Sequence, residues 1–195
     1  MKILLDNGHG IDTPGKRSPD GFFREYAYTR FLAKQIQVAL IELGYDVRLL
    51  VPELEDVSLL ERCRRVNQIC KESGSEPVIL LSLHVNAAGK GQEWMNARGW
   101  SCYTTRGKTA SDGLATSLYE AAKSYLPGMR LRTDYTDGDP DIESNFYILR
   151  HTSCPAVLTE NLFMDNKEDV AFLESDGGAQ AIINLHIDGI LQYIY

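Results

Sequence analysis

The chain has no apolar run long enough to cross a bilayer. The stretch Val78 to Leu83 is only six residues and includes Ser82, where a transmembrane helix needs about 20, so no membrane-spanning segment is expected. Cysteine is sparse. The four thiols, at Cys63, Cys70, Cys102 and Cys154, form no C-x-x-C pair, which excludes a disulfide scaffold and a cysteine-ligated zinc knuckle. Basic charge is in deficit, with 20 Lys and Arg against 27 Asp and Glu. A surface built to neutralise phosphates needs the opposite balance, so no nucleic-acid partner is expected. The one dense basic cluster is Arg62, Arg64 and Arg65, with Glu61 beside it, and it reads as a solvated helix face. There is no internal repeat, low-complexity stretch or linker. No basic-then-apolar leader precedes Lys2–Leu5, so a secretory leader is expected to be absent or already removed.

A hydrophobic content of 44% with 24% charged residues is enough for a packed core, and the length suits one domain over residues 1–195. Short aliphatic runs alternate with helical patterns, which predicts an α/β sheet with many parallel strands. Residues 2–6, 45–51, 77–83, 99–105 and 155–159 read as strands. Helical spacing of Leu32, Ile36, Ala39 and Leu43 predicts a helix over 24–43. A second helix opens at Ser58, with Glu61 completing a capping box and Leu59, Cys63, Val66 and Cys70 facing inward. Further helices are expected after the caps Ser111 and Asn166, and from about Ala179 to the end. Residues 127–145, rich in Gly, Pro and acidic side chains, read as a mobile loop bordering a cleft.

Three of these strands run into residues that bind metal or move protons: Asn7-Gly8-His9-Gly10, His84-Val85-Asn86, and Glu160-Asn161. Open α/β sheets place their sites at the carboxyl edge of the strands, because helices cover the faces. Glycines on both sides of His9 allow a sharp turn that frees its imidazole. Glu25, in the first turn of the long helix, is a fourth candidate, favoured there by the helix dipole. Each also has an ordinary reading, as a loop histidine, a first-turn acid or a solvated carboxylate, and the spacing is no local code such as H-E-x-x-H.

Asp6-Asn7-Gly8-His9-Gly10, then Glu25, then Ser82-Leu83-His84-Val85-Asn86-Ala87, then Leu149-Arg150 and Pro155-Ala156-Val157-Leu158-Thr159-Glu160-Asn161 resemble, in order, the motifs of the zinc-dependent N-acetylmuramoyl-L-alanine amidases of the amidase-3 type. The resemblance covers nearly the whole chain. It departs at Ile11, where many members continue with small residues, and at 160–164, where a glycine is common. It implies a twisted six-stranded sheet flanked by helices, Zn2+ held by His9, Glu25 and His84, and Glu160 as catalytic acid and base. It further implies peptidoglycan as substrate, and so action on the bacterial cell wall, in the periplasm or outside the cell.

Two residues are expected to contact substrate, each with a competing reading. Asn86 serves equally well as a turn residue, and Arg150 as a salt-bridge partner. His186, within the apolar last helix, reads as a core or surface histidine. The rival activities are a zinc peptidase acting on stem or free peptides, a cysteine hydrolase using Cys154 and His151, and a peptidoglycan-binding module without turnover.

Overall fold

A computed structural model describes residues 1–195. The elements in chain order are β1 (Lys2–Asn7), α1 (Glu25–Glu42), β2 (Asp46–Leu49), α2 (Leu59–Ser73), β3 (Val78–Asn86), β4 (Ser101–Thr104), α3 (Ala110–Tyr125), β5 (Ile142–Glu143), α4 (Tyr147–Arg150), β6 (Ala156–Phe163), α5 (Lys167–Glu174) and α6 (Asp176–Ile194). They build one six-stranded sheet in the order β2-β1-β3-β6-β4-β5. The pairings β1/β2, β1/β3, β3/β6 and β4/β5 are parallel, and only β4 against β6 is antiparallel. The α/β, mostly parallel, six-stranded architecture expected from the sequence is the one observed.

Alternation along the central strands sorts side chains to two faces. Ile3, Leu5, Ile79, Leu81, Leu83 and Val157 face the larger core, where Leu32, Ile36 and Leu40 of α1, Leu114 and Leu118 of α3, and Ile182 and Leu185 of α6 cover them. Leu4, Leu80 and Leu158 face the smaller core under α2 and α4, with Cys63, Val66, Ile148 and Leu149. Both faces of the central strands are therefore dry, which is why Val78–Leu83 reads as an apolar run broken only by Ser82. No helix is long and apolar enough to cross a membrane.

Several local expectations are corrected. The α3 cap is Thr109, not Ser111: it forms a reciprocal box with Asp112, while Ser111 sits inside the helix and its hydroxyl accepts from the Ala156 amide. Ser58 does cap α2, but the Glu61 carboxylate turns to Arg64 and Arg65 instead of closing the box. Leu59 is half exposed, because it faces an open cleft instead of the core. The last helix begins at Asp176, capped by Ser175. Residues 127–145 are not simply loop: Leu131 bridges to Trp100, and β5 extends the sheet beside β4.

Candidate metal centre and cleft

β1, β3 and β6 lie side by side, so their carboxyl ends deliver three functional side chains to one edge. The loop after β1 is pinned at both of its neighbouring carbonyls, with Thr29 Oγ1 donating to the Gly8 oxygen at 3.1 Å and Arg30 Nη1 to the His9 oxygen at 2.8 Å. His9 itself adopts φ 62°, a left-handed conformation that costs a side-chain-bearing residue energy. Gly8 passes against the neighbouring ligand: a Cβ there would lie 2.4 to 2.9 Å from the His84 ring. Gly10 passes closer still to the Glu55–Asp56 backbone, at 2.0 Å for a Cβ.

Glu25 opens α1, is 1% exposed, and is held in place by its backbone N–H donating to the Lys16 carbonyl at 3.1 Å. Its Oε1 accepts from the Val85 amide at 3.0 Å and meets His84 Nδ1 at 3.1 Å. Its Oε2 lies 3.5 Å from His9 Nε2 and has no hydrogen-bond partner. The two imidazoles meet edge to face, 5.0 Å between centroids and 87° apart. One donor atom from each of His9, Glu25 and His84 falls within 4.8 Å of the others, so the three could hold a metal ion. Glu160 is the register partner of His84 across β3 and β6, and its Oε2 is buried without a partner.

Burial lowers the His9 pKa to about 4, against an opposing pull from Glu25 and with help from His84 and Lys16. The ring is neutral near pH 7, the form that binds metal. Burial also disfavours charge on His84, but Glu25 outweighs it and leaves the pKa above its ordinary value. For Glu25 itself, burial works against ionisation and the two histidines overcome it, holding the carboxyl below its usual range. Burial lifts Glu160 to about 7, opposed by His84 and assisted by Glu25. Two carboxylates a few side chains apart are thus driven in opposite directions, one to stay charged and one to exchange a proton near neutrality.

These groups open into a cleft of about 410 Å³. Its floor is a buried ion-pair network. Arg62, 2% exposed, donates to Asp6 Oδ1 at 2.6 Å, Asp56 Oδ1 at 2.9 Å and the carbonyls of Asn7 and Val57. Ser82 Oγ donates to the other Asp6 oxygen at 2.6 Å. Arg62 is therefore not part of a solvated face. Arg64 and Arg65 are, but position 62 points to the sheet, and its partner Asp6 is 56 residues away in sequence. Sequence reasoning also missed Lys16 and the wall formed by Phe146, Tyr147 and Ile148. The Phe-Tyr-Ile run before Leu149-Arg150 was the available signal.

The remaining candidates lie elsewhere. Asn86 serves its turn, its Oδ1 accepting from the Ala87 amide at 2.8 Å; the His84 carbonyl is held instead by Asn161 Nδ2 at 3.0 Å. Arg150 is exposed at the end of α4, pairs with no carboxylate, and borders a separate depression with Thr105 and Thr109. α4 gives its start to the cleft and its end to solvent. No residue of 127–145 lines the cleft and no helix forms there, so that segment neither borders the site nor covers it. The cysteine alternative has no geometry behind it: His151 Nδ1 bonds to the Tyr147 carbonyl at 2.9 Å, and burial beside Cys70 raises the Cys154 thiol.

A family model described as N-acetylmuramoyl-L-alanine amidase matches residues 3–192. The chain belongs to this amidase family. It is similar to an endolysin of Bacillus phage SPP1, 28% identical over 98% of this chain and 65% of the relative. It is also similar to the sporulation-specific N-acetylmuramoyl-L-alanine amidase of Bacillus subtilis strain 168, 27% identical over 98% of this chain and 68% of that protein. The chain thus spans about two thirds of the length of these curated relatives. Among solved structures, the N-acetylmuramoyl-L-alanine amidase from Clostridium difficile 630 superposes with a TM-score of 0.80 at 23% identity, covering 99% of this chain and 96% of that one. Ami1 of Mycobacterium smegmatis gives 0.81 at 18% identity over 100% and 96%. The fold of this amidase-family chain is therefore shared nearly end to end.

Proposed function

We propose that this chain hydrolyses the amide between N-acetylmuramic acid and L-alanine in peptidoglycan, using Zn2+ held by His9, Glu25 and His84 and a proton carried by Glu160. The observation that carries the reading is the meeting of two neutral-capable imidazoles, a charged carboxylate and a neutral-range carboxyl at one sheet edge, in a chain of this family. The fit to a metal rests on the donors themselves. The buried, partnerless Oε2 of Glu25 would be costly to leave unsatisfied, and two histidines with one carboxylate form an open zinc site. When bound, zinc polarises the scissile carbonyl and makes water acidic near neutral pH.

Glu160 then takes the proton from the attacking water and returns it to the departing alanine nitrogen, acting as base and then as acid. A carboxyl with a pKa of about 7 suits both halves of that task. The cell wall places this activity in the periplasm or outside the cell. A module that only binds the wall has no use for a proton carrier positioned beside the metal ligands. A zinc peptidase would share all of this apparatus, and the bond cut separates the two.

The test is mass spectrometry of products from purified peptidoglycan. Amidase action yields peptides beginning with alanine, with no rise in reducing sugar ends. Peptides that begin at a later residue, with alanine still on muramic acid, would overturn the assignment. Metal analysis of protein purified without added metal is expected to find about one zinc per chain.

A further inference from the structure

The cleft holds two cations, and only one of them is committed. Arg62 is saturated by Asp6 and Asp56. Lys16 also lines the cleft, beside His9, His84 and Glu160, yet its amine makes no ion pair and no hydrogen bond with any residue of the chain. Its position is nonetheless built. The Lys16 carbonyl receives the Glu25 amide at 3.1 Å, and the next residue, Arg17, bridges to Arg24 as a two-stranded pair. The backbone that carries Lys16 is thereby tied to the first residue of α1, while the side chain is left free over the site. Its charge reaches His9, Glu25 and Glu160.

An unpaired ammonium in a cleft, carried on an anchored backbone, is a receptor for an anion. We propose that Lys16 recognises a carboxylate on the departing peptide, on the residue attached to the alanine whose amide is cut. The geometry favours that partner. One extended residue spans roughly 3.5 Å, so a carboxylate one residue beyond the scissile amide falls within the reach of a lysine anchored beside the metal ligands. The sugar side of the bond carries hydroxyls and neutral amides, which give an ammonium no matching charge. This specificity role rests on the amidase reading, and it goes beyond that reading by naming which peptides are preferred.

The experiment compares N-acetylmuramoyl-L-alanyl-D-glutamine, whose γ-carboxyl is blocked and whose α-carboxylate is free, with its α-amide, N-acetylmuramoyl-L-alanyl-D-glutamine amide, as substrates of the zinc-loaded enzyme. The free carboxylate is expected to be favoured in kcat/KM by roughly tenfold, the scale of one charge-assisted hydrogen bond, with the difference carried in KM. Lys16→Gln is expected to bring the ratio near one, and Lys16→Arg to restore most of it. A wild-type ratio near one, an unchanged ratio in Lys16→Gln, or an equal loss on both substrates would overturn the proposal. The last of these would make Lys16 a general electrostatic aid. Binding of the dipeptides L-alanyl-D-glutamine and L-alanyl-D-glutamine amide, measured by calorimetry on the same proteins, decides the point without turnover. If the wild type cuts neither substrate, the amidase reading fails, and the calorimetric preference still upholds or overturns the role of Lys16.

Discussion

Acidifying the protein titrates a residue that the fold holds neutral. His186 is fully buried in α6. Its Nδ1 donates to the Ile182 carbonyl at 2.7 Å, and its Nε2 accepts from Thr159 Oγ1 at 3.0 Å. Burial lowers its pKa from 6.5 to about 4. The unfolded chain therefore binds a proton that the folded chain refuses between those values, and stability falls as the pH drops through that window. Linkage puts the loss at about 2 kcal/mol on going from about pH 7.5 to about pH 5, approaching about 3 kcal/mol below pH 4. The assay is urea unfolding of metal-free protein across this range, for the wild type and His186→Gln. The variant is expected to be less stable at neutral pH by about 1–2 kcal/mol, and the two curves should meet between about pH 6 and about pH 5 and cross below it, because only the wild type carries the histidine's loss. Parallel curves would refute the reasoning, since every other titrating group is common to both proteins.

The two glutamates of the site should separate by readout. Glu160→Gln is expected to retain metal and lose roughly 10²–10⁴-fold in turnover, whereas Glu25→Gln should lose metal; the reverse pattern by metal analysis and kinetics would exchange their roles. Gly8→Ala drives a methyl into the His84 ring, and metal affinity should weaken roughly 10–100-fold, as when a ligand loses its orientation; unchanged affinity in a competition titration would show that the ring has room to move. Arg62→Met leaves Asp6 buried and unpaired, a loss of about 3–5 kcal/mol in urea unfolding, and a loss below about 1 kcal/mol would mean that the network does not hold β1 to α2.

What could be read from the sequence followed from local rules. The run Val78–Leu83 declared a doubly covered strand, Leu32 and Ile36 marked the buried stripe of α1, and Gly8-His9-Gly10 marked a turn off β1. The convergence of His9, His84 and Glu160 needed only that three parallel strands end at one edge, and Glu25 joins them from the first turn of α1. What stayed hidden depended on partners distant in sequence. Arg62 looks like its neighbours Arg64 and Arg65 until Asp6 is seen beneath it. Leu59 fits the apolar stripe of α2, but it lines the cleft instead of the core. Asn86 and Arg150 adjoin the right motifs, yet the β3/β6 register shifts between His84 and Asn86 and a four-residue helix turns most of a circle, so adjacency in sequence did not carry them to the cleft.

The loop after β1 also constrains how this enzyme can diversify. His9 is held at φ 62° between two glycines, one pressed against a ligand ring and the other against the Glu55–Asp56 backbone. Three successive positions thus admit almost no alternative side chain, whatever the substrate. The opposite wall carries no such restriction: Tyr147 is 37% exposed, and Leu59, at the near end of α2, is 51% exposed. New substrate preferences would therefore arise by exchanging residues on α4, the first turn of α2 and the Lys16 loop, while β1 and its turn remain fixed. A mutagenesis library aimed at specificity should leave 8–10 alone and concentrate its diversity at 16, 59 and 146–148.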